Sequence, residues 1–156
     1  MIKLLRVDHR LLHGQVTFSW VNGIGVDCIL VASDVAANSG VWKTTLKLSK
    51  PPGCKLVIKN MADAIESLNS GVTDKYKLMI IVQTIADAKM LADNCPSVKS
   101  INLGNTKESP ETKQISKQIF VTDEEIEMLK ELIGRGIEVE IRALADDKKV
   151  YVKNLI

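Results

Sequence analysis

Short apolar runs alternate with longer amphipathic segments along the whole chain, and this alternation constrains the possible folds. The runs are rich in β-branched residues and apolar on both faces, which is typical of a parallel sheet covered by helices on both sides. Seven runs are strand candidates: IKLLRV at 2–7, DCILVA at 27–32, KLVI at 55–58, KLMIIV at 77–82, SINL at 100–103, QIFV at 118–121 and IEVEIRAL at 137–144.

Capping signals place helices between these runs. The segments 60–71, 84–94 and 122–136 each begin with Asn or Thr three residues before an acidic residue, and Thr122 with Glu125 predicts a capping box. Helices are also predicted at 14–22 and 39–50, the second stopped by two prolines.

This order predicts a single-domain α/β fold. We expect an open, doubly wound, mainly parallel sheet of about seven strands with helices on both faces. The longest irregular stretch, GNTKESPETK at 104–113, is a candidate functional loop because loops of this length are uncommon in compact domains.

Composition excludes several partners. A chain of 156 residues can bury an adequate core without disulfides, and a net charge of +2 with 4% aromatic residues argues against nucleic acid. Three widely spaced cysteines, Cys28, Cys54 and Cys95, suit a reducing cytosol. No stretch approaches the ~20 apolar residues of a membrane span. We therefore expect a cytoplasmic protein without direct membrane insertion.

Both histidines of the chain fall on one predicted rim. In open α/β sheets, ligands bind beyond the carboxyl ends of the strands. The residues expected there are Asp8 to His13 after the first strand, Ser33 and Asp34 after the second, Gln83 and Thr84 after the fourth, and Gly104 and Asn105 after the fifth.

The stretch RVDHRLLHGQV at 6–16 suits an anion-accepting nucleophile. A neutral imidazole at His13 can accept a phosphoryl group, and the planar guanidinium of Arg10 matches phosphate oxygens. Backbone N–H groups near Gly14 would face an anion at a helix start. Asp8 could orient a histidine or Arg10, although an Asp8–Arg10 surface ion pair is the simpler alternative.

Metal and nucleotide signatures are incomplete. His9 and His13 have the i, i+4 spacing of a zinc pair, but position 10 lacks the Glu of HExxH. GIGVDC at 23–28 begins like GxGxxG but precedes a strand, and no P-loop motif is present. We therefore expect no metal, and a zinc-dependent hydrolase using the two histidines is a remaining, weaker alternative.

The segment VDHRLLHGQV closely resembles the phosphorylation-site signature D-x-R-L-x-H-G-Q of one family. These are the IIB components of the mannose/fructose/sorbose family of the bacterial phosphoenolpyruvate-dependent sugar phosphotransferase system (PTS). Further stretches resemble the same family: LKLSKPPGCKLVIKN, INLGN at 101–105 and KQISKQIFVTDEE. The signature is matched at Asp8, Arg10, Leu11, His13, Gly14 and Gln15.

The resemblance implies that residues 1–156 form one EIIB type-4 domain, a transferase without a cofactor. His13 would take a phosphoryl group on its Nδ1 atom from the IIA component and pass it to a sugar delivered by the membrane components IIC and IID. Arg10 would steady the phosphoryl oxygens, while Asp8, Gly14 and Gln15 would shape the loop. His9 would be a neighbour that tunes the site.

The likeness to the family is weaker at 31–43, where Ser39 and Trp42 replace an acidic and a basic residue of many relatives. Trp42 is interpreted as a packing residue, or else the surface that meets the partners differs here. A partner-contacting rim would include Asp34, Asn38, Gly104 and Asn105. A regulatory, non-transporting relative is a second hypothesis. The sugar and the oligomeric state, including a homo-oligomer, stay open.

Overall fold

The central sheet has seven strands in the order β3-β2-β4-β1-β5-β8-β9. The computed structural model describes all 156 residues. The first six strands of this order are parallel, and β9 pairs with β8 antiparallel. The strands are β1 (Ile2–Asp8), β2 (Cys28–Ala32), β3 (Lys55–Lys59), β4 (Leu78–Val82), β5 (Ser100–Asn105), β6 (Lys113–Ser116), β7 (Ile119–Val121), β8 (Glu138–Ile141) and β9 (Val150–Tyr151).

Six helices cover both faces of the sheet. They are α1 (Gly14–Ile24), α2 (Asp34–Ala37), α3 (Gly40–Leu48), α4 (Met61–Ser70), α5 (Ile85–Asn94) and α6 (Asp123–Gly134), followed by a short 3₁₀ helix at Val152–Asn154. Apolar residues of α1 to α3 pack on one face, and those of α4 to α6 pack on the other. The predicted doubly wound α/β architecture is confirmed. None of the helices combines the length and apolar character needed to cross a membrane.

The predicted helix starts are confirmed at the level of hydrogen bonds. Side-chain oxygens of Asn60 and Thr84 accept from the backbone N–H three residues later. Thr122 and Glu125 make both hydrogen bonds of a capping box. These contacts satisfy N–H groups that a helix start otherwise leaves without a partner.

Two parts of the strand prediction were wrong. The run QIFV contributes β7, which pairs with β6 in a separate antiparallel hairpin and does not join the main sheet. The seventh strand of the main sheet is instead the two-residue β9. Thr106, which follows β5, connects to this hairpin: its N–H donates to the Gln118 carbonyl, and its hydroxyl donates to the Phe120 carbonyl.

The 104–113 stretch is also less irregular than predicted, since it begins inside β5 and ends in β6. The predicted strand at 137–144 is shorter, ending at Ile141, and helix α2 was missed because it has only four residues. None of these differences moves the end of β1, where the candidate site lies.

Candidate active site

The loop between β1 and α1, residues 9–13, lies at a topological switch point. Strand β1 continues into α1 on one face of the sheet, whereas its neighbour β4 continues into α5 on the opposite face. Connections that diverge in this way leave a crevice at the carboxyl ends of the two strands, where open α/β sheets bind ligands. Both histidines therefore lie at the carboxyl edge of the sheet.

Backbone contacts fix the shape of this loop. The Leu11 N–H donates to the Asp8 carbonyl at 2.9 Å, and the His9 N–H donates to the Asn105 carbonyl at 3.0 Å. Leu11 has a φ of 59°, a left-handed conformation that is unfavourable for a residue with a Cβ, yet its side chain is buried. Burial of Leu11 therefore holds a strained turn immediately before His13.

Asp8 forms a hydrogen bond with the ring of His13. The Asp8 Oδ2 atom lies 2.8 Å from His13 Nε2, and the Asp8 side chain is fully buried while that of His13 is 19% exposed. Burial raises the pKa of Asp8, but the hydrogen bond with His13 and the charge of Arg6 outweigh it, so the pKa of Asp8 is lowered. An ionised carboxylate only accepts hydrogen bonds, so Nε2 is the donor, and in the neutral ring the free lone pair is on Nδ1.

Arg6 is a residue of the site that sequence reasoning missed. Its guanidinium donates to Asp8 Oδ2 at 3.2 Å and to Asn102 Oδ1 at 2.9 Å, and the residue is only 2% exposed. Burial lowers the pKa of Arg6, and the charge of Asp8 opposes this shift. The one sequence signal for the role of Arg6 is that a cation stands in an otherwise apolar strand. That signal can be interpreted only when the neighbouring strand is known.

Arg6 belongs to a wider buried polar network. Asn102 donates to Glu140 at 3.1 Å, and Glu140 accepts two hydrogen bonds at 3.0 Å from Arg142. The Trp20 ring lies 5.5 Å from the Arg6 guanidinium carbon and 4.8 Å from that of Arg142, within range of cation–π attraction. Every buried side-chain polar atom has a partner, so the network is fully satisfied.

Gly104 has a specific place in this packing. A Cβ at this position would collide with the guanidinium of Arg6. Gly104 was predicted as a rim residue for partners. In the structure it is buried, and the Arg6 guanidinium packs against it.

The groups expected to bind an anion near His13 have no hydrogen-bond partner within the chain. The Arg10 N–H donates to Asp8 Oδ1 at 3.0 Å, whereas the Arg10 side chain is exposed and makes no hydrogen bond or ion pair, so the simple surface ion pair with Asp8 is absent. The N–H groups of Gly14, Gln15 and Val16 donate to no acceptor in the chain, and the first turn of α1 has no acidic residue. A helix start of this kind attracts negative charge.

Other predicted rim residues are distributed over the neighbouring strand ends. The Gln83 side chain connects Ser33, at 3.1 Å from the hydroxyl, with the His9 carbonyl at 3.4 Å. Asp34 accepts from the Met61 N–H at 2.8 Å and so joins α2 to α4, and Asn38 is exposed at the end of α2.

Ser39 and Trp42, the two departures from the family pattern, have local structural roles. Ser39 caps α3 by accepting from the Trp42 N–H at 3.2 Å. The Trp42 side chain packs against the core cluster beneath α1 and α3, so its interpretation as a packing residue is confirmed. His9 and His13 belong to no group of three or more metal-ligating side chains.

This α/β sheet has a histidine held by a carboxylate and a free helix start at its switch point. Such an arrangement is typical of proteins that bind anionic groups. Residues 2–156 match the family described as the PTS system sorbose subfamily IIB component. The chain is 30% identical to a probable phosphotransferase enzyme IIB component of Streptococcus pyogenes over 100% of this chain and 99% of that protein.

Two further comparisons agree. The chain is 31% identical to the mannose-specific EIIAB component of Escherichia coli, covering 100% of this chain and 48% of that protein, about half its length. The IIBSor domain of the sorbose permease from Klebsiella pneumoniae superposes with a TM-score of 0.92 at 25% identity, over 99% of this chain and 94% of that one. The chain belongs to the sorbose-subfamily IIB components of the PTS, phosphotransferases that take a phosphoryl group from IIA and pass it to a sugar.

Proposed function

We propose that the phosphoryl group is carried on Nδ1 of His13. The observation that supports this most directly is the 2.8 Å contact between His13 Nε2 and the ionised Asp8 carboxylate. Because that contact holds the proton on Nε2, the lone pair of Nδ1 is directed away from Asp8 and is available as a nucleophile. The residue acts first as nucleophile and then as leaving group.

The phosphoryl group is transferred twice. In the first, the N–P bond of a phosphohistidine on IIA breaks and an Nδ1–P bond forms, leaving a positively charged ring whose Nε2–H faces the Asp8 carboxylate. In the second, the Nδ1–P bond breaks as a sugar hydroxyl oxygen bonds to phosphorus. The hydroxyl proton is lost to water or to a base beside the sugar, and His13 returns to its neutral form. Asp8 stabilises the charged intermediate without itself being protonated.

The surroundings of His13 provide charge for the phosphoryl oxygens. The exposed guanidinium of Arg10 can reach them without breaking an existing ion pair, and the N–H groups at Gly14 and Gln15 are unused. Phosphoryl transfer depends mainly on positioning and on such electrostatic stabilisation, so no cofactor is required. His9, held through its backbone, adjoins the site and tunes it.

The family role also suggests how the whole chain works. Residues 1–156 form one EIIB type-4 domain that acts in the cytoplasm, receiving the phosphoryl group from IIA and delivering it to IIC and IID. The rim that contacts these partners includes Asp34, Asn38 and Asn105, whereas Gly104 is buried against Arg6 and stands behind this rim. Relatives are named for mannose, sorbose and N-acetylgalactosamine, which supports a hexose or an acetylated amino sugar as the acceptor.

Phosphorylation of His13 can be tested directly. We expect an acid-labile mass increase of one phosphoryl group when the chain is incubated with phosphoenolpyruvate, the general PTS proteins and a matching IIA. His13→Ala should abolish the increase, while the matched control His9→Ala should retain it. Labelling of the His13→Ala variant would overturn the proposal.

Delivery to sugar is a separate experiment. The phosphorylated chain is added to membranes that contain IIC and IID, and discharge is followed across a panel of sugars. Discharge to one sugar supports the transport role. A chain that is phosphorylated on His13 but discharges to none would instead be the regulatory relative.

A further inference from the structure

A cavity of about 290 Å³ lies far from His13, on the opposite face of the sheet. It begins at the amino-terminal ends of β2, β3 and β4, where Cys28, Lys55 and Leu78 line it, and extends beside α4 to the loop 72–76. His13, by contrast, follows the carboxyl end of β1, and its helix packs on the other face. The proposed phosphoryl chemistry does not use this cavity.

The floor of the cavity is apolar because β3 is an edge strand that α4 covers incompletely. Cys28, Leu30 and Leu78 belong to the buried core, while Val57 of β3 remains only half-buried. Val72 forms part of the wall and is 58% exposed. A small molecule with an apolar body would cover the surface that the fold leaves partly exposed.

The rim of the cavity carries positive charge without a compensating carboxylate. Lys55, Lys59 and Lys75 line it, none of them makes an ion pair, and no acidic residue is among the lining side chains. Asp27, which precedes Cys28, is directed to the N–H of Lys77 at 2.8 Å. A concave site lined by ammonium groups of one sign favours an anionic ligand.

Tyr76 organises two of these lysines. Its hydroxyl accepts a hydrogen bond from the Lys55 ammonium at 3.1 Å, and the Lys55 and Lys75 Nζ atoms each lie 5.2 Å from the centre of its ring. The hydrogen bond raises the pKa of Lys55 and lowers that of Tyr76. Both ammonium groups therefore lie beside the Tyr76 ring, which lines the cavity.

We propose that this cavity is a second, non-catalytic binding site for a small amphipathic anion, with a compact apolar body on Leu30, Val57 and Val72 and an anionic head between Lys55 and Lys75. The volume suits a ligand of about one ring, since it lies near the lower end of the ~300–1,000 Å³ found for ligand pockets. The head can be a carboxylate or a phosphate monoester, because a lysine ammonium acts as a point charge toward either.

Nuclear magnetic resonance titration of the intact chain tests both halves of the proposal. Phenylacetate and phenyl phosphate are the two anionic probes, phenylacetamide is the neutral probe, and acetate and inorganic phosphate are the anions without an apolar body. We expect saturable shifts at the amides of Val57, Val72 and Tyr76 with at least one aromatic anion, and affinities at least about tenfold weaker for the other three probes.

Matched variants connect binding to the lysines. The double substitution Lys55→Gln with Lys75→Gln should weaken binding of the aromatic anion about tenfold, since exposed charges each contribute modestly to binding. Lys113→Gln, an exposed lysine of β6 without an ion pair, should leave binding unchanged, and so should His13→Ala, which separates this proposal from the phosphoryl-transfer one. Equal binding of phenylacetamide, equal binding of acetate or phosphate, no saturable binding, or an unaffected double variant would each overturn it.

Discussion

Asp8 connects the ring of His13 to the interior of the protein. One of its carboxylate oxygens contacts both His13 Nε2 and the Arg6 guanidinium, and the other accepts from the Arg10 N–H. A carboxylate with three donors stays ionised despite its burial, which is what keeps the proton on Nε2. The orientation of His13 therefore depends on a buried ion pair that the solvent does not reach.

Replacing Asp8 by Asn should slow phosphoryl transfer more than it changes partner binding. The amide keeps the shape of the side chain but removes the charge that stabilises the phosphorylated ring and fixes its tautomer. We expect the rate of phosphorylation by phospho-IIA to fall at least about 100-fold, since replacing the carboxylate that orients a catalytic histidine by its amide costs up to ~10⁴-fold. Single-turnover transfer of the phosphoryl group measures it.

The matched control is Asp63→Asn, an exposed carboxylate in the first turn of α4 that is remote from the loop. Its transfer rate should equal that of the unmodified chain. An Asp8→Asn chain that is folded and accepts the phosphoryl group at the full rate would contradict the role given to Asp8.

Much of the site could be read from the sequence, and Arg6 shows where that reading stopped. His13, Arg10 and Asp8 stand close together in the chain, so their proximity was predictable from one loop. Arg6 acts through Asn102 of β5 and Gly104 beneath its guanidinium, partners about 100 residues away. Contacts of that kind depend on strand order and register, which a local pattern does not specify.

Gly14 should be sensitive to substitution for its backbone alone. Its φ is 48°, and an added Cβ would meet nothing within 4 Å, so Gly14→Ala introduces strain without a collision. We expect the free energy of unfolding to fall by about 1 kcal/mol. Gly40→Ala is the control because Gly40 also has open space but lies in α3 without a positive φ, and it should be neutral or stabilising. Urea denaturation of both variants checks the sign, and equal values for the two would refute the explanation.

At the scale of elements, β5 connects the β6–β7 hairpin with the candidate active site. It pairs with β1 through Arg6 and Asn102, supplies Gly104 to Arg6, and continues into Thr106, which holds the β6–β7 hairpin. The sequence predicted the strand but not the hairpin, because the run QIFV has the same composition whether it enters a parallel sheet or pairs with its neighbour. The hairpin is joined to the end of β5 by hydrogen bonds of Thr106, a residue outside the apolar pattern.

Gly104→Ala should disturb both stability and transfer through Arg6. The new methyl group would collide with the guanidinium of Arg6, which is buried, contacts the Trp20 ring and donates a hydrogen bond to Asn102. Overpacking of a buried site costs about 1–3 kcal/mol, and a displaced Arg6 no longer supports Asp8. We expect a lower midpoint in urea together with a slower phosphorylation of His13.

Gly134→Ala provides the comparison for that change. Gly134 ends α6, and an added Cβ there meets nothing within 4 Å, so neither the midpoint nor the rate should fall. If Gly104→Ala matched the unmodified chain in both measurements, Arg6 would not be confined as described.

At the scale of the whole molecule, the two apolar cores meet across one sheet, and the buried Arg6–Asp8 pair lies at the carboxyl edge of that sheet. All three cysteine thiols are buried and free, and burial raises the pKa of each, so the fold rests on packing without disulfides. Apart from Asp8, two carboxyls have shifted pKa values of opposite sign. The hydrogen bond from Lys89 lowers that of Asp93 at the surface, and burial raises that of Asp87.

The pH dependence of folding should therefore reveal Asp8 by comparison with Asp8→Asn. The folded pKa of Asp8 lies below the unfolded value of about 3.9, so its contribution is fully present above that value and is lost as the pH falls through the folded pKa. At neutral pH the variant leaves the charge of Arg6 buried without its partner, and we expect it to unfold with about 3 kcal/mol less free energy. Below pH ~4 the difference should narrow, because Asp8 of the unfolded unmodified chain binds a proton there and folding has to release it again. Urea titrations from pH 7 to pH 3 at moderate salt, which screens the surface contacts of Asp93, measure the difference; a gap that stays constant over this range would mean that Asp8 keeps an ordinary pKa in the folded protein.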